Sequence, residues 1–263
     1  MPSPFSLFFK KSLGSILSTT ASFLTSVGPS PRSRTPSSLT ALTSSSKHLL
    51  SYYDALDLAA SNDVSHFLFP SSWRKPLEIL FLFLADIHPY LFTNLLRSFI
   101  EEANNYEDDE IDGFLLWGRH QIAQNLDKPW QFLVAWNNPS NIPIARIEQI
   151  ERGLRLMVTA LVYRVRKAQT AVVRKITKDW VSCEGKKIDI EEAVNEEMEE
   201  MMAVFLDASR LRRSVITEIV GATNVYQGAL FFEALSQFLV LGSDFRDPIL
   251  LGEFQRWNMP IFR

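Results

Sequence analysis

Residues 72–100 most constrain what this chain can fold into, because they are strongly apolar and contain one interruption. Apolar residues recur at helical spacing on both sides of Ala85–Pro89, and proline disfavours helix at its own position and at the preceding one. The pattern predicts two helices that other helices must cover, and hence an all-α bundle of long amphipathic helices. The predicted core positions are Trp73, Pro76, Leu77, Leu80, Phe81 and Leu84 in the first helix, and Leu91, Phe92, Leu95, Leu96, Phe99 and Ile100 in the second.

Two later segments have long amphipathic patterns of opposite charge. Residues 146–178 carry nine Lys or Arg against two acidic residues, and residues 184–207 carry nine acidic residues against two lysines. A glycine-containing loop at residues 182–187 predicts that the two helices fold back against each other, so that their charges largely cancel. A last helix is expected from about Ala208 to Leu241. The predicted inner face of the basic helix is Ile147, Ile150, Leu154, Met157, Leu161, Val165, Ala168 and Val172. That of the acidic helix is Ile188, Ile190, Val194, Met198, Met201, Met202 and Phe205.

The N-terminal segment differs in composition from the rest. Residues 1–53 contain no Asp or Glu, five Lys or Arg, and Ser or Thr at 21 positions. We expect residues 1–46 to be a disordered tail and residues 47–263 to be one helical domain. A plastid transit peptide and a membrane-contacting segment are alternatives for the same composition.

Residues 101–112 hold seven acidic residues and no basic one. They lack the alternating oxygen ligands and the glycine of a calcium loop, so a solvated loop is favoured over a metal site. Docking of a basic partner is an alternative role for this loop. The basic helix is a second candidate surface, for calmodulin, for anionic lipid or for a protein partner. The predicted interaction residues are Glu107, Asp108, Asp109, Glu110, Arg155, Arg164, Arg166 and Lys167.

No pattern predicts catalysis or a cofactor. One cysteine, Cys183, excludes an internal disulfide and any metal site built from several cysteines. No glycine-rich phosphate loop, nucleophile elbow or metalloprotease motif occurs. The net charge of −3 provides no overall attraction to nucleic acid. The candidate ligands for a metal or haem are His48, His66, His88 and His120. A helical sensor that holds haem or a lipid in its bundle stays an alternative.

Residues 73–96 resemble the plant Delay-of-Germination domain family. The matching residues are Trp73, the run Pro76-Leu77-Glu78, Phe81, Leu82, Pro89, Leu95 and Leu96. The chain has Ala85-Asp86 where the family usually has Gly-Gly, and His88 where it usually has Arg. A second, more general similarity involves Leu211, Arg212, Gln227, Ala229 and Phe238.

The resemblance implies a non-enzymatic regulatory module in a plant. Within the family the chain is most similar to the type that acts in pollen aperture formation, at plasma-membrane domains where exine is not deposited. That type implies protein partners, such as another Delay-of-Germination-domain protein or a membrane kinase, and a location in the cytoplasm and at the cytoplasmic face of the plasma membrane. A seed-dormancy regulator of abscisic acid and phosphatase signalling is the alternative, with the nucleus or plastid as alternative locations. No basic zipper region is present, so no nucleic-acid partner is expected.

Overall fold

The computed structural model describes residues 36–62, 82–105, 141–182 and 190–241, with Ser18 and Val64 as isolated positions. Nearly all of this part is helical, which confirms the predicted all-α class. In chain order the elements are α1 (Pro36–Asn62), β1 (Leu82–Phe83), β2 (Asp86–Ile87), α2 (Tyr90–Asn105), α3 (Asn141–Ser182), α4 (Ile190–Ala222) and α5 (Val225–Leu241).

Helices α3 and α4 form an antiparallel pair, as predicted, and share the largest interface of the described elements. Three groups of ion pairs lie along this interface, and their order along α3 is the reverse of their order along α4. Arg146 pairs with Glu218 at one end, Arg164 pairs with Glu200 and Asp207 in the middle, and Lys175 pairs with Glu196 near the other end. Because such partly exposed pairs contribute at most about 1 kcal/mol each, they fix the register of the pair more than its stability.

The core lies where α1, α2 and α5 pack on one end of this pair. Helix α2 buries the predicted stripe, with Leu95 half-buried and the other five positions buried. Helix α5 is buried on nearly every described face, in agreement with its almost continuous apolar sequence. The largest fully buried apolar side chains are Tyr52, Tyr53, Leu56, Phe92, Leu96, Phe99, Phe205, Phe231 and Phe232.

The break before α2 is a β-hairpin, and the prediction that Leu84 belongs to a helix was wrong. Leu82 pairs with Ile87 and Phe83 with Asp86 in a two-stranded antiparallel ladder. Leu84 and Ala85 form the turn with positive φ values of 47° and 71°. Of the first predicted helix, Trp73, Pro76, Leu77 and Phe81 lie outside the described residues.

Two helix boundaries differ from the sequence prediction. Helix α4 continues without interruption through Ala208 to Ala222, because neither glycine nor proline occurs between Asp207 and Gly221. Helix α1 begins at Pro36, so residues 36–46 are helical. Proline is compatible with this position, because the first helical turn has no internal acceptor for its missing N–H. The proposed division into residues 1–46 and 47–263 stays a prediction.

One position on each of two predicted inner faces was also assigned wrongly: Met157 on α3, and Val194 on α4, which is 39% exposed. Met157 is 48% exposed, and its neighbour Val158 is buried in the core. The predicted stripe steps from Leu154 to Met157 to Leu161, whereas the helix places Val158 beside Leu154 and Leu161. Both spacings are compatible with an α-helix, and only the position of the neighbouring helices selects between them.

Candidate functional site

Arg212 is the most unusual buried residue of the described part of the chain. It lies on α4, is fully buried, and donates hydrogen bonds to backbone carbonyl oxygens of the β-hairpin. Its Nε donates to the Ile87 carbonyl at 2.7 Å, and its Nη2 donates to the carbonyls of Asp86 at 3.2 Å, Leu84 at 3.3 Å and Phe83. The guanidinium therefore holds the hairpin against α4 through the backbone.

This arrangement satisfies groups that a two-residue ladder leaves open. Burying a charge or a carbonyl without a partner costs several kcal/mol, so the cation and the four carbonyls stabilise one another. Sequence reasoning placed Arg212 in a family pattern but did not identify its burial. The signal was present, because Arg212 lies on the same helical stripe as the buried residues Phe205, Ala208 and Ile216.

His88 packs beside this anchor and is also buried. Its Nδ1 accepts a hydrogen bond from the Tyr90 backbone N–H at 3.2 Å, so the proton of the neutral ring is on Nε2. The ring lies 4.9 Å from the Phe83 ring and 5.4 Å from the Tyr90 ring. Burial, and to a smaller extent the positive charge of Arg212, lowers the pKa of His88 to about 4. His88 is thus a neutral packing residue at the start of α2.

The surface of α3 that faces away from α4 carries a long strip of basic residues. Between Arg152 and Lys178 the helix contains eight basic residues and no acidic one, and two of the eight, Arg164 and Lys175, pair with α4. The other six are exposed, and none has an acidic partner within the described residues. We define the outer face of α3 as these six cations and three exposed apolar residues. Its members are Arg152, Arg155, Leu156, Tyr163, Arg166, Lys167, Val173, Arg174 and Lys178.

The predicted interaction residues have different fates in the structure. Arg155, Arg166 and Lys167 lie on the outer face, exposed to solvent. Arg164 points toward α4 instead, where hydrogen bonds from its guanidinium to Glu200 at 2.9 Å and Asp207 at 2.5 Å raise its pKa. The acidic residues Glu107, Asp108, Asp109 and Glu110 lie outside the described residues. Their role in binding a partner stays a prediction.

A cavity of about 310 Å³ opens between the far ends of α3 and α4. Arg164, Lys167 and Lys175 line one side, and Glu196, Glu197 and Glu200 line the other. Because acids and bases face each other across it, the cavity has no single charge preference. It extends the ion-paired seam between the two helices.

The described residues contain no cluster of three or more His, Cys, Asp or Glu side chains placed to hold a metal ion. Of the four histidines, His48 lies on α1 and His88 beside the hairpin, while His66 and His120 fall outside the described residues. No helix in the part of the chain that the structure describes is long and apolar enough to span a membrane.

Comparison with known families agrees with this helical architecture. The family model described as seed dormancy control, DOG1, matches residues 31–98, which include α1, the hairpin and the first turns of α2. The matched segment contains the break and the restart on which the Delay-of-Germination resemblance depended. The chain therefore carries a Delay-of-Germination domain, as predicted.

Two longer matches define the family more narrowly. The chain is 45% identical over 228 residues to Protein INAPERTURATE POLLEN1 of Arabidopsis thaliana, a match that covers 81% of this chain and 80% of the relative. It is 31% identical over 209 residues to the Protein INAPERTURATE POLLEN 1 homolog of Oryza sativa subsp. japonica, covering 80% of this chain and 68% of that relative. The chain belongs to the INAPERTURATE POLLEN1 family.

Proposed function

We propose that this protein is a pollen aperture factor, which marks plasma-membrane domains where exine is not deposited. The observation that carries the proposal is the 45% identity to INAPERTURATE POLLEN1 across 81% of the chain. The name of that relative describes pollen without apertures. The match extends well beyond the residues of the family model, and it includes the long helices that carry the exposed charge.

The mechanism we propose is scaffolding without covalent chemistry. The core of the described residues is formed mainly by apolar side chains, and two of its buried polar residues, Arg212 and His88, form hydrogen bonds with the backbone. The exposed helical surfaces are then the means by which the protein recognises partners at the cytoplasmic face of the plasma membrane. The proposed partners are other proteins, including a second Delay-of-Germination-domain protein or a membrane kinase. Calmodulin is a further candidate, because α3 is basic and amphipathic.

A regulator of seed dormancy is the second candidate. Its support is the description of the matching family model, seed dormancy control. The model covers residues 31–98 alone, whereas the similarity to INAPERTURATE POLLEN1 extends over four-fifths of the chain. The longer match favours the aperture role.

The test is loss of the gene in the plant that encodes it, with scoring of both pollen apertures and seed dormancy in the same lines. We expect pollen without apertures and seeds of normal dormancy, and we expect a transgene of the same sequence to restore the apertures. Normal apertures in plants that lack every copy of the gene would reject the proposal. Altered dormancy with normal apertures would support the second candidate.

A further inference from the structure

We propose that the outer face of α3 is a membrane-docking surface that binds anionic lipid bilayers. Six cations lie on it between Arg152 and Lys178, and the same stretch of helix contains no acidic residue. With a rise of about 1.5 Å per residue, these cations span about 39 Å of a straight helix. None of the six forms an ion pair with α4 in the described residues, although Lys167 also lines the cavity whose other side carries Glu196, Glu197 and Glu200.

The position of the acidic residues leaves this face available. Glu196, Glu200 and Asp207 of α4 contact Lys175 and Arg164, on the side of α3 that faces α4. Glu151, the last acidic residue before the strip, pairs with Arg97 of α2 through a two-pronged contact, with Nη2 to Oε2 at 2.8 Å and Nε to Oε1 at 3.3 Å. The inner side of α3 is therefore charge-compensated, and the net positive field points outward.

The three apolar residues of the face fit the interface of a bilayer, and Val173 is 63% exposed. Leu156 is 75% exposed and Tyr163 is 66% exposed, two helical turns apart among the cations. Leucine can enter the boundary between headgroups and acyl chains, and tyrosine has an apolar ring with a polar tip that suits the same depth. Long arginine and lysine side chains beside them can reach the phosphates.

A flat anionic surface fits this pattern better than an acidic helix of a partner protein. Docking of a helix requires apolar anchors repeated every three or four residues over several turns. Here the exposed apolar residues of the outer face, Leu156, Tyr163 and Val173, are seven and ten residues apart. They are too widely spaced to anchor a partner helix, while the cations extend along one side of α3, as recognition of a charged plane requires.

The test is co-sedimentation of the purified full chain with vesicles of 70% phosphatidylcholine and 30% phosphatidylserine, compared with pure phosphatidylcholine. Each cation near an anionic surface contributes about 1 kcal/mol, or roughly fivefold in binding. The double variant Arg166→Gln/Arg174→Gln should bind the phosphatidylserine vesicles roughly 20- to 30-fold more weakly. The binding of the wild-type chain should fall steeply between about 50 and about 500 mM NaCl, because salt screens exposed charges.

The matched control is Lys47→Gln/Arg210→Gln, which removes the same charge from exposed positions outside the outer face. It should bind like the wild-type chain. Equal weakening of both variants, equal binding of all three proteins through another segment, or no preference for phosphatidylserine would each overturn the proposal. An acidic protein partner would show itself as an absence of vesicle binding, which also overturns it.

This inference rests on the proposed function only for the identity of the membrane. A wild-type chain that restores apertures but does not bind the vesicles would sink the lipid surface and leave the aperture role intact. A chain that binds vesicles through the outer face but has no effect on apertures would support the lipid surface and reject the aperture role.

Discussion

At the scale of single residues, Arg212 carries the largest structural consequence. Its guanidinium donates to four backbone carbonyls of the hairpin from a fully buried position on α4. We expect Arg212→Met to lower the free energy of unfolding by roughly 3–5 kcal/mol, because it leaves buried carbonyls without donors. Urea denaturation followed by circular dichroism measures the change.

Two further variants separate this role from charge alone. Arg212→Lys should also destabilise strongly, because one ammonium group cannot reach the carbonyls that two nitrogens of the guanidinium contact. Arg210→Met, on the exposed side of the same helix, should change the stability by less than about 0.5 kcal/mol. Equal urea midpoints for Arg212→Met and Arg210→Met would contradict the role of Arg212.

His88 predicts a pH dependence of stability. Its pKa is about 4 in the folded protein and about 6.5 in an unfolded chain, so between these values the unfolded state binds more protons. Stability contributed by neutral His88 is present above pH 6.5 and is lost as the pH falls toward 4. We expect this group to lower the free energy of unfolding by about 2 kcal/mol at about pH 5 relative to about pH 8.

The control for His88 is His88→Asn, whose side-chain oxygen can still accept the Tyr90 N–H but does not titrate. Urea denaturation at a series of pH values should give a flatter profile for this variant than for the wild-type chain. Identical slopes between pH 4 and 6.5, the range set by the two pKa values, would show that His88 is not the group responsible.

At the scale of elements, the hairpin turn is strained by its sequence. Leu84 and Ala85 both have positive φ, a region in which residues other than glycine are disfavoured by about 1–2 kcal/mol. We expect Ala85→Gly to stabilise the protein by about 0.5–1 kcal/mol, since the relief of strain exceeds the entropy that glycine adds to the unfolded chain. Ala160→Gly, at an exposed helical position of α3, should destabilise by about 1 kcal/mol. Thermal denaturation of the pair should therefore show shifts of opposite sign.

The junction between α4 and α5 is a capping box. The Asn224 side-chain oxygen accepts hydrogen bonds from the backbone N–H groups of Tyr226 at 3.0 Å and Gln227 at 2.9 Å, and the Gln227 side chain accepts one from the Asn224 N–H at 3.0 Å. Asn224→Ala should cost about 1 kcal/mol in thermal or urea denaturation, because these donors lose their acceptor. Asn195→Ala, in the exposed interior of α4, should be neutral or slightly stabilising. A neutral Asn224→Ala would show that other contacts hold the junction.

Apolar spacing was a good guide to elements and a poor guide to their ends. It identified α2, α3 and the antiparallel partner of α3, because their patterns repeat over many turns. It missed the hairpin, because Leu80 and Leu84 fit a helical repeat and only the tertiary anchor from Arg212 shows otherwise. It divided α4 at Asp207, where the charge pattern changes. The capping residue Asn224, which lies between the end of α4 and the start of α5, marks the true boundary.

At the scale of the whole molecule, the bundle is asymmetric. α1, α2 and α5 cover one end of the α3–α4 pair, and the cationic outer face of α3 stays exposed. The sequence showed that α3 is basic, and it predicted that α4 would absorb most of this charge. In the structure Arg146, Arg164 and Lys175 of α3 pair with acidic residues of α4, and six other cations of α3 stay exposed. This division depends on the rotation of α3 about its axis and cannot be obtained from charge totals.

The central claim is that this protein acts through its exterior, and the most direct measurement is rescue of apertures by surface variants in plants that lack the gene. The outer-face variant Arg166→Gln/Arg174→Gln and the control Lys47→Gln/Arg210→Gln should fold with wild-type stability, because all four positions are exposed. Our account predicts that pollen expressing the control has apertures and that pollen expressing the outer-face variant lacks them or has fewer. Full restoration of apertures by the outer-face variant, at equal protein level, would contradict it.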